Sequence, residues 1–190
     1  MCQSKVAGFY GRIPGRRSVI RAGLPRSFTD PWAAWLATVL PASRERLGDR
    51  WLGVWSAAPI WRFSLPAGVC GPTPVLGLWI PSFDRAGRAF PLTFACLGPA
   101  DFSCGVGGFL PAAEQAGLAA VRADLPPTEI KARLAAAFSE CAHCAATPVP
   151  PVRAAMWWTD GAERRPALGL TLPGLPQAET FAAMLDQDTQ

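Results

Sequence analysis

The apolar positions of this chain change period several times between its ends, and each change marks an element. Val6–Tyr10 is a short apolar run that reads as a strand, and Gly11–Ser27 is a loop rich in glycine and arginine. Trp32, Trp35, Leu36 and Val39 then fall at helical spacing. Asp30 is placed to cap that helix and Pro31 suits its first position, while Pro41 is expected to break or kink it. A second helix is predicted over Asp49–Ala57, with Trp51, Leu52 and Trp55 on one side. From Ile60 to Leu65 the period drops to two. Trp61, Phe63 and Leu65 alternate with Arg62 and Ser64, the pattern of a strand with one buried and one exposed face. Val75–Ile80 and Phe90–Leu97 follow as strands, and short turns make the three an antiparallel meander.

Helical spacing returns over Pro111–Ala123, with Leu110, Ala113, Leu118 and Val121 as apolar members, and over Pro127–Cys141, with Ile130, Leu134, Ala137 and Phe138. Thr147–Pro151 is a proline-rich connector. Ala154–Thr159 and Leu168–Leu172 then read as a strand pair with Asp160-Gly161 in its turn. A terminal helix over Gln177–Leu185 buries Phe181, Met184 and Leu185. The order β-α-α-β-β-β-α-α-β-β-α groups strands into hairpins instead of alternating them with helices. It predicts an α+β fold: a single layered domain over residues 1–190, with a mainly antiparallel central sheet flanked by helices.

Composition narrows this picture. Half of the 190 residues are hydrophobic and 17% are charged, which supplies one substantial core and excludes a disordered chain. Eight Trp and ten Phe weight that core toward rings. The net charge of +4 is carried almost wholly by arginine, since Lys5 and Lys131 are the only lysines. The arginines alternate with acids, as in Arg44-Glu45-Arg46 and Asp49-Arg50, whereas nucleic-acid binding calls for a clustered basic face. The first residues carry no apolar core of a signal peptide, and no run of about 18 apolar residues is present. A cytoplasmic protein with no membrane insertion is therefore expected, and its six cysteines (Cys2, Cys70, Cys96, Cys104, Cys141 and Cys144) are read as reduced thiols.

Candidate chemistry is sparse. His143 is the only histidine, so any nucleophile–histidine mechanism must run through it. It lies in Cys141-Ala-His-Cys144, which follows a helix, at the end whose dipole disfavours a thiolate; a second such pair for a tetrahedral zinc site is missing. Gly105-Val-Gly-Gly-Phe lacks the lysine of a phosphate loop. No metal and no cofactor are expected. Gly11-Arg-Ile-Pro-Gly-Arg-Arg could offer amides and guanidinium forks to an anion, or be a solvated loop. The most specific constellation is Pro81–Leu92, a polar, glycine-centred turn carrying Asp84, Arg85 and Arg88 between two apolar runs. The two arginines keep Asp84 charged, which suits an ion pair or a recognition turn more than a general acid. Ser82 has no local base to make it a nucleophile.

A set of short motifs runs through the chain in order. They are Gly8-Phe-Tyr-Gly-Arg-Ile-Pro, Arg21-Ala-Gly-Leu-Pro-Arg-Ser-Phe, Asp30-Pro-Trp-Ala-Ala-Trp-Leu and Ser43-Arg-Glu-Arg-Leu-Gly, then Ala58-Pro-Ile-Trp-Arg-Phe and Gly68-Val-Cys-Gly. The hairpin Pro81-Ser-Phe-Asp-Arg-Ala-Gly-Arg-Ala-Phe-Pro-Leu-Thr follows, and Trp157-Trp158-Thr and Gly174-Leu-Pro close the pattern. With these motifs the chain resembles the TagF family, also called ImpM, of type VI secretion system-associated proteins, from about Gly8 to Leu185. It departs from the family pattern at Gly15-Arg-Arg-Ser-Val, which lacks the acid of an Arg-Gly-Asp-Phe-like segment, and at Phe83 and Ala86 in the hairpin.

The resemblance implies a non-enzymatic cytoplasmic accessory protein. It would repress assembly of the secretion system post-translationally by binding the system's forkhead-associated scaffold protein (Fha), often beside a threonine phosphorylation pathway. On that reading Arg12, Arg16, Arg17 and Arg21, with Ser82, Asp84, Arg85 and Arg88 of the hairpin, form a charged contact surface. The alternatives are a structural or assembly component of the apparatus, and a thiol or serine hydrolase that uses His143 with a cysteine or Ser82.

Overall fold

The computed structural model describes residues 6–98, 106–140, 153–161 and 167–186. In chain order the elements are β1 (Val6–Gly11), β2 (Ile20–Ala22), α1 (Arg26–Leu47), a 3-10 turn (Gly48–Arg50), α2 (Trp51–Ser56) and β3 (Trp61–Leu65). There follow β4 (Val75–Ile80), β5 (Leu92–Leu97), α3 (Val106–Ala123), α4 (Pro127–Glu140), β6 (Ala155–Thr159), β7 (Leu168–Leu172) and α5 (Ala178–Leu185). The strands form one sheet in the order β2-β1-β5-β4-β3-β6-β7, antiparallel at every pairing. The expected meander β3-β4-β5 is its centre, so the fold is the α+β layered domain that the element order predicts.

Helices cover both faces of this sheet. One hydrophobic cluster joins α1, α2 and α5 to Trp61, Phe63, Leu65, Trp79 and Trp157. The other joins α3 and α4 to Phe9, Leu76, Leu78, Ile80, Phe94 and Cys96. Every residue of β4 and β5 is therefore buried. The exposed face expected for β3 does not occur: Ser64 is buried and Arg62 half-buried.

Local details depart from the sequence reading where tertiary burial outweighs local signals. Helix α1 begins at Arg26, with Pro25 at its cap position, and it runs unbroken through Pro31 and Pro41. Asp30 therefore lies inside the helix and caps nothing. An internal proline costs about 3 kcal/mol, but eight buried residues from Phe28 to Ser43 hold α1 against the sheet, and each large apolar one contributes about 1.5–3 kcal/mol. In α2, Trp51 and Trp55 lie one turn apart on the buried side, whereas Leu52 is 56% exposed instead of joining them. Helix α3 starts at Val106 and carries Pro111 internally. Part of the presumed loop after β1 is an edge strand, because Ile20–Ala22 pairs with Phe9–Gly11. Strand β5 begins at Leu92, so Phe90 belongs to the turn. Cys2, Cys104, the Cys141–Cys144 motif with His143, and the connector 147–151 lie outside the described residues.

Candidate functional site

Asp84 organises the end of the sheet where the β4–β5 hairpin meets the loop after β1. Its carboxylate is fully covered. Oδ1 accepts the amides of Ala86 and Arg88, both at 2.9 Å, which builds the turn around Gly87 at its left-handed φ of 75°. Oδ2 accepts Nε of Arg88 at 2.7 Å and pairs with Arg12. Burial pushes this carboxyl up, but the amide and guanidinium of Arg88 and the amide of Ala86 more than reverse that and hold it down at about 2. Asp84 is thus an anion at neutral pH with its acceptor sites occupied.

The arginine loop is fastened to this anion. The amide of Arg85 donates to the Arg16 carbonyl at 3.0 Å, and Ser82 Oγ donates to the Arg12 carbonyl at 2.8 Å. The guanidiniums of Arg12 and Arg88 both reach the Arg17 carbonyl, at 3.2 and 2.7 Å. From the far side, the Gly15 amide donates to Asp124 Oδ1 at 2.7 Å, which ties the loop to the α3–α4 corner. Trp55 of α2 donates to the Ser82 carbonyl at 3.2 Å and anchors the hairpin base in the aromatic layer. The result is a rigid turn whose acid is inside and whose cations are outside.

Of the residues that the sequence reading groups here, Ser82 and Asp84 are buried and serve the turn. Arg16, Arg17 and Arg85 are exposed and make no ion pair with a described residue, while Arg88 is 58% exposed beyond its bond to Asp84. Arg21 lies apart on β2, with its guanidinium at 3.4 Å from Thr29 Oγ1. Asp124 escaped the sequence reading. Its position before Leu125-Pro126-Pro127 marks a helix junction, but nothing local points across 109 positions to Gly15.

Two clefts lie nearby. A trough of about 300 Å³ runs between α1 and the base of the hairpin, lined by Tyr10, Ala33, Leu36, Ala37, Leu40 and Phe90 with Pro41 and Arg44. A larger cleft of about 490 Å³ lies against α3, but its charged groups satisfy one another: Arg62 is held by Glu114 at 2.6 Å and Asp160 at 2.7 Å. Among the described residues no group of three His, Cys, Asp or Glu side chains could hold a metal ion. Cys70 and Cys96 are buried, and burial pushes the Cys70 thiol up to about 12, which keeps it protonated. No helix of the described residues is long and apolar enough to cross a membrane.

The profile of the TagF N-terminal domain, described as type VI secretion system-associated, matches residues 8–137, a span that includes both the arginine loop and the hairpin. Among solved structures, PA0076 from Pseudomonas aeruginosa PAO1 is 30% identical and superposes with a TM-score of 0.72. That match covers 94% of this chain and 93% of the other, so it extends beyond residue 137. No curated protein matches the chain.

Proposed function

The chain belongs to the TagF N-terminal domain family of type VI secretion system-associated proteins, and from that premise we propose that it is a cytoplasmic, non-enzymatic repressor of that system. It acts by binding the forkhead-associated scaffold protein through its arginine turn and so keeping the scaffold from apparatus assembly. The observation that carries this reading is the division of charge at the turn. Asp84 is buried and saturated, while Arg16, Arg17 and Arg85 stand outside without partners. Unpaired guanidiniums on a backbone already held in place suit recognition of carboxylates on another protein, because the loop itself needs no ordering on contact. The serine-hydrolase alternative gains nothing from Ser82, whose hydroxyl is buried and committed to the Arg12 carbonyl.

Capture of the purified scaffold by the wild-type chain and by an Arg85→Glu variant tests the proposal. Charge reversal is expected to weaken capture about tenfold or more, largely through the association rate and with strong dependence on salt. Equal capture by both proteins would remove the hairpin from the contact.

A further inference from the structure

We propose that the trough between α1 and the hairpin base is a second part of the contact surface, and that it receives an acidic segment of a partner protein bearing an apolar anchor residue. This rests on reading the arginine turn as a contact face, with which the trough shares Arg12. On one side Arg12 pairs with Asp84; on the other its guanidinium lies 5.6 Å from the centre of the Phe90 ring, which lines the trough.

The floor is apolar and open for a local reason. Ala33 and Ala37 stand one helical turn apart on α1 and leave space between the larger Leu36, Leu40 and Phe90. About 300 Å³ is the lower end of ligand-site sizes and accommodates one or two side chains instead of a cofactor. From Ala33 to Arg44 the stripe is about 16 Å long at 1.5 Å per residue, the reach of about five residues of extended peptide.

The rim decides what kind of segment fits. Arg44 lines the trough, and Arg12, Arg21 and the carboxylate of Asp30 lie close enough to act on the Tyr10 hydroxyl at its edge. Arg21 is the cross-strand partner of Tyr10, so the two share a face of the sheet. Neither Arg21 nor Arg44 makes an ion pair with a described residue. Arg44 is steadied by lying 4.3 Å over the Trp51 ring, which holds the cation in place without neutralising it. The Tyr10 hydroxyl, half-buried between Arg12 and Arg21, has no hydrogen-bond partner among the described residues and is available as a donor. An apolar floor under an excess of guanidiniums and a free phenol is complementary to an apolar side chain flanked by carboxylates.

The test uses the full chain and a fluorescein-labelled dodecapeptide with four glutamates around a central Trp-Leu pair. Two twins accompany it, one with the glutamates changed to glutamine and one with Trp-Leu changed to Ser-Ser. Fluorescence anisotropy is expected to show the acidic probe binding about tenfold more tightly than either twin. Ala37→Trp, which fills the trough from an exposed position, and Arg44→Glu should each abolish that preference, with circular dichroism confirming that the fold is kept. Equal binding of probe and twins, or an unchanged preference in Ala37→Trp, overturns the proposal. Scaffold capture insensitive to Arg85→Glu alongside a trough that behaves as expected would sink the arginine-face reading alone. The reverse pattern would sink the trough alone.

Discussion

The two helix layers fill the same sheet by different means. The α1/α2/α5 side is built of rings: Trp32, Trp35, Phe63 and Trp157 pack with centroids between 4.7 and 6.1 Å, and Trp51, Trp55 and Trp79 continue the stack. The α3/α4 side has three phenylalanines and no buried tryptophan among mainly aliphatic and small residues, with Ala113, Ala116 and Ala120 fully buried in the same cluster as Leu78, Ile80 and Phe94. Rings bring polar handles. Trp35, Trp55 and Trp61 donate to the carbonyls of Pro176, Ser82 and Met184 in remote segments, so this layer positions chain as well as excluding water. The small-residue layer mainly sets a distance between helix and sheet. The arginine turn hangs from the positioning layer through Trp55, and the trough lies on the same side.

Removing a ring separates the two layers most directly. Trp32 is fully buried against Phe28, Trp35, Phe63 and Trp157 and donates to Thr93 Oγ1 at 3.0 Å. Trp32→Ala is expected to cost about 3–5 kcal/mol in urea unfolding, through the cavity and a weakened partner for Thr93. Ile80→Val on the other face should cost only about 0.5–1.5 kcal/mol. Costs of similar size would mean that the aromatic layer is not the stronger support.

The small-residue layer is sharpened by the opposite change, an added methyl. A Cβ at Gly117 would press on Ile80 Cδ1 and come within 2.8 Å of Phe94 Cε2. Overpacking of about 1–3 kcal/mol should outweigh the helix-propensity gain of about 1 kcal/mol, so Gly117→Ala is expected to destabilise. Gly53→Ala, in α2 with open space around it, should instead gain up to about 1 kcal/mol. A stabilising Gly117→Ala, read by thermal unfolding, would show that α3 is not in close contact with the sheet.

What could be read from the sequence follows the range of the interactions. The meander was readable because period two in Trp61, Phe63 and Leu65 and short turns are local signals. The Asp84 turn was readable for the same reason: carboxylate, glycine and Arg88 all lie within four positions. The Arg12–Asp84 pair spans 72 positions and depends on β1 pairing with β5, which no local pattern announces. The start of α1 was misplaced because Asp30-Pro31 carries a good local cap signal, while burial of Phe28 draws the helix back to Arg26. The trough was invisible because its walls come from β1, α1 and the hairpin. Family motifs marked the right segments without saying which of their side chains face outward.

Within the turn, inside and outside can be separated by pH. The Asp84 carboxyl is held at about 2, below its ordinary value near 4, so the native state binds fewer protons here than the unfolded chain. Its contribution to stability is full above about pH 4 and is lost as pH falls toward about 2. Asp84→Asn keeps an oxygen for the Ala86 and Arg88 amides but loses the charge that holds Arg12 and Arg88. The variant should be less stable than wild type at pH 6, with the difference shrinking by pH 3 in urea titrations followed by tryptophan fluorescence. A difference that stays constant with pH would mean that shape, not charge, is what Asp84 supplies.

The smallest expected effect on stability belongs to the residue given the largest role in binding. Arg85 touches the loop only through its backbone amide, which any residue except proline supplies, and its side chain is exposed and unpaired. Arg85→Glu should therefore change unfolding free energy by no more than about 0.5 kcal/mol. Arg12, 18% exposed and bonded to both Asp84 and the Arg17 carbonyl, should cost clearly more when changed to Gln. Comparing the two in one unfolding series tests whether the turn separates support from recognition. If Arg85→Glu destabilises as much as Arg12→Gln, both charges belong to the support, and a loss of scaffold capture by Arg85→Glu would report a damaged turn and not a lost contact.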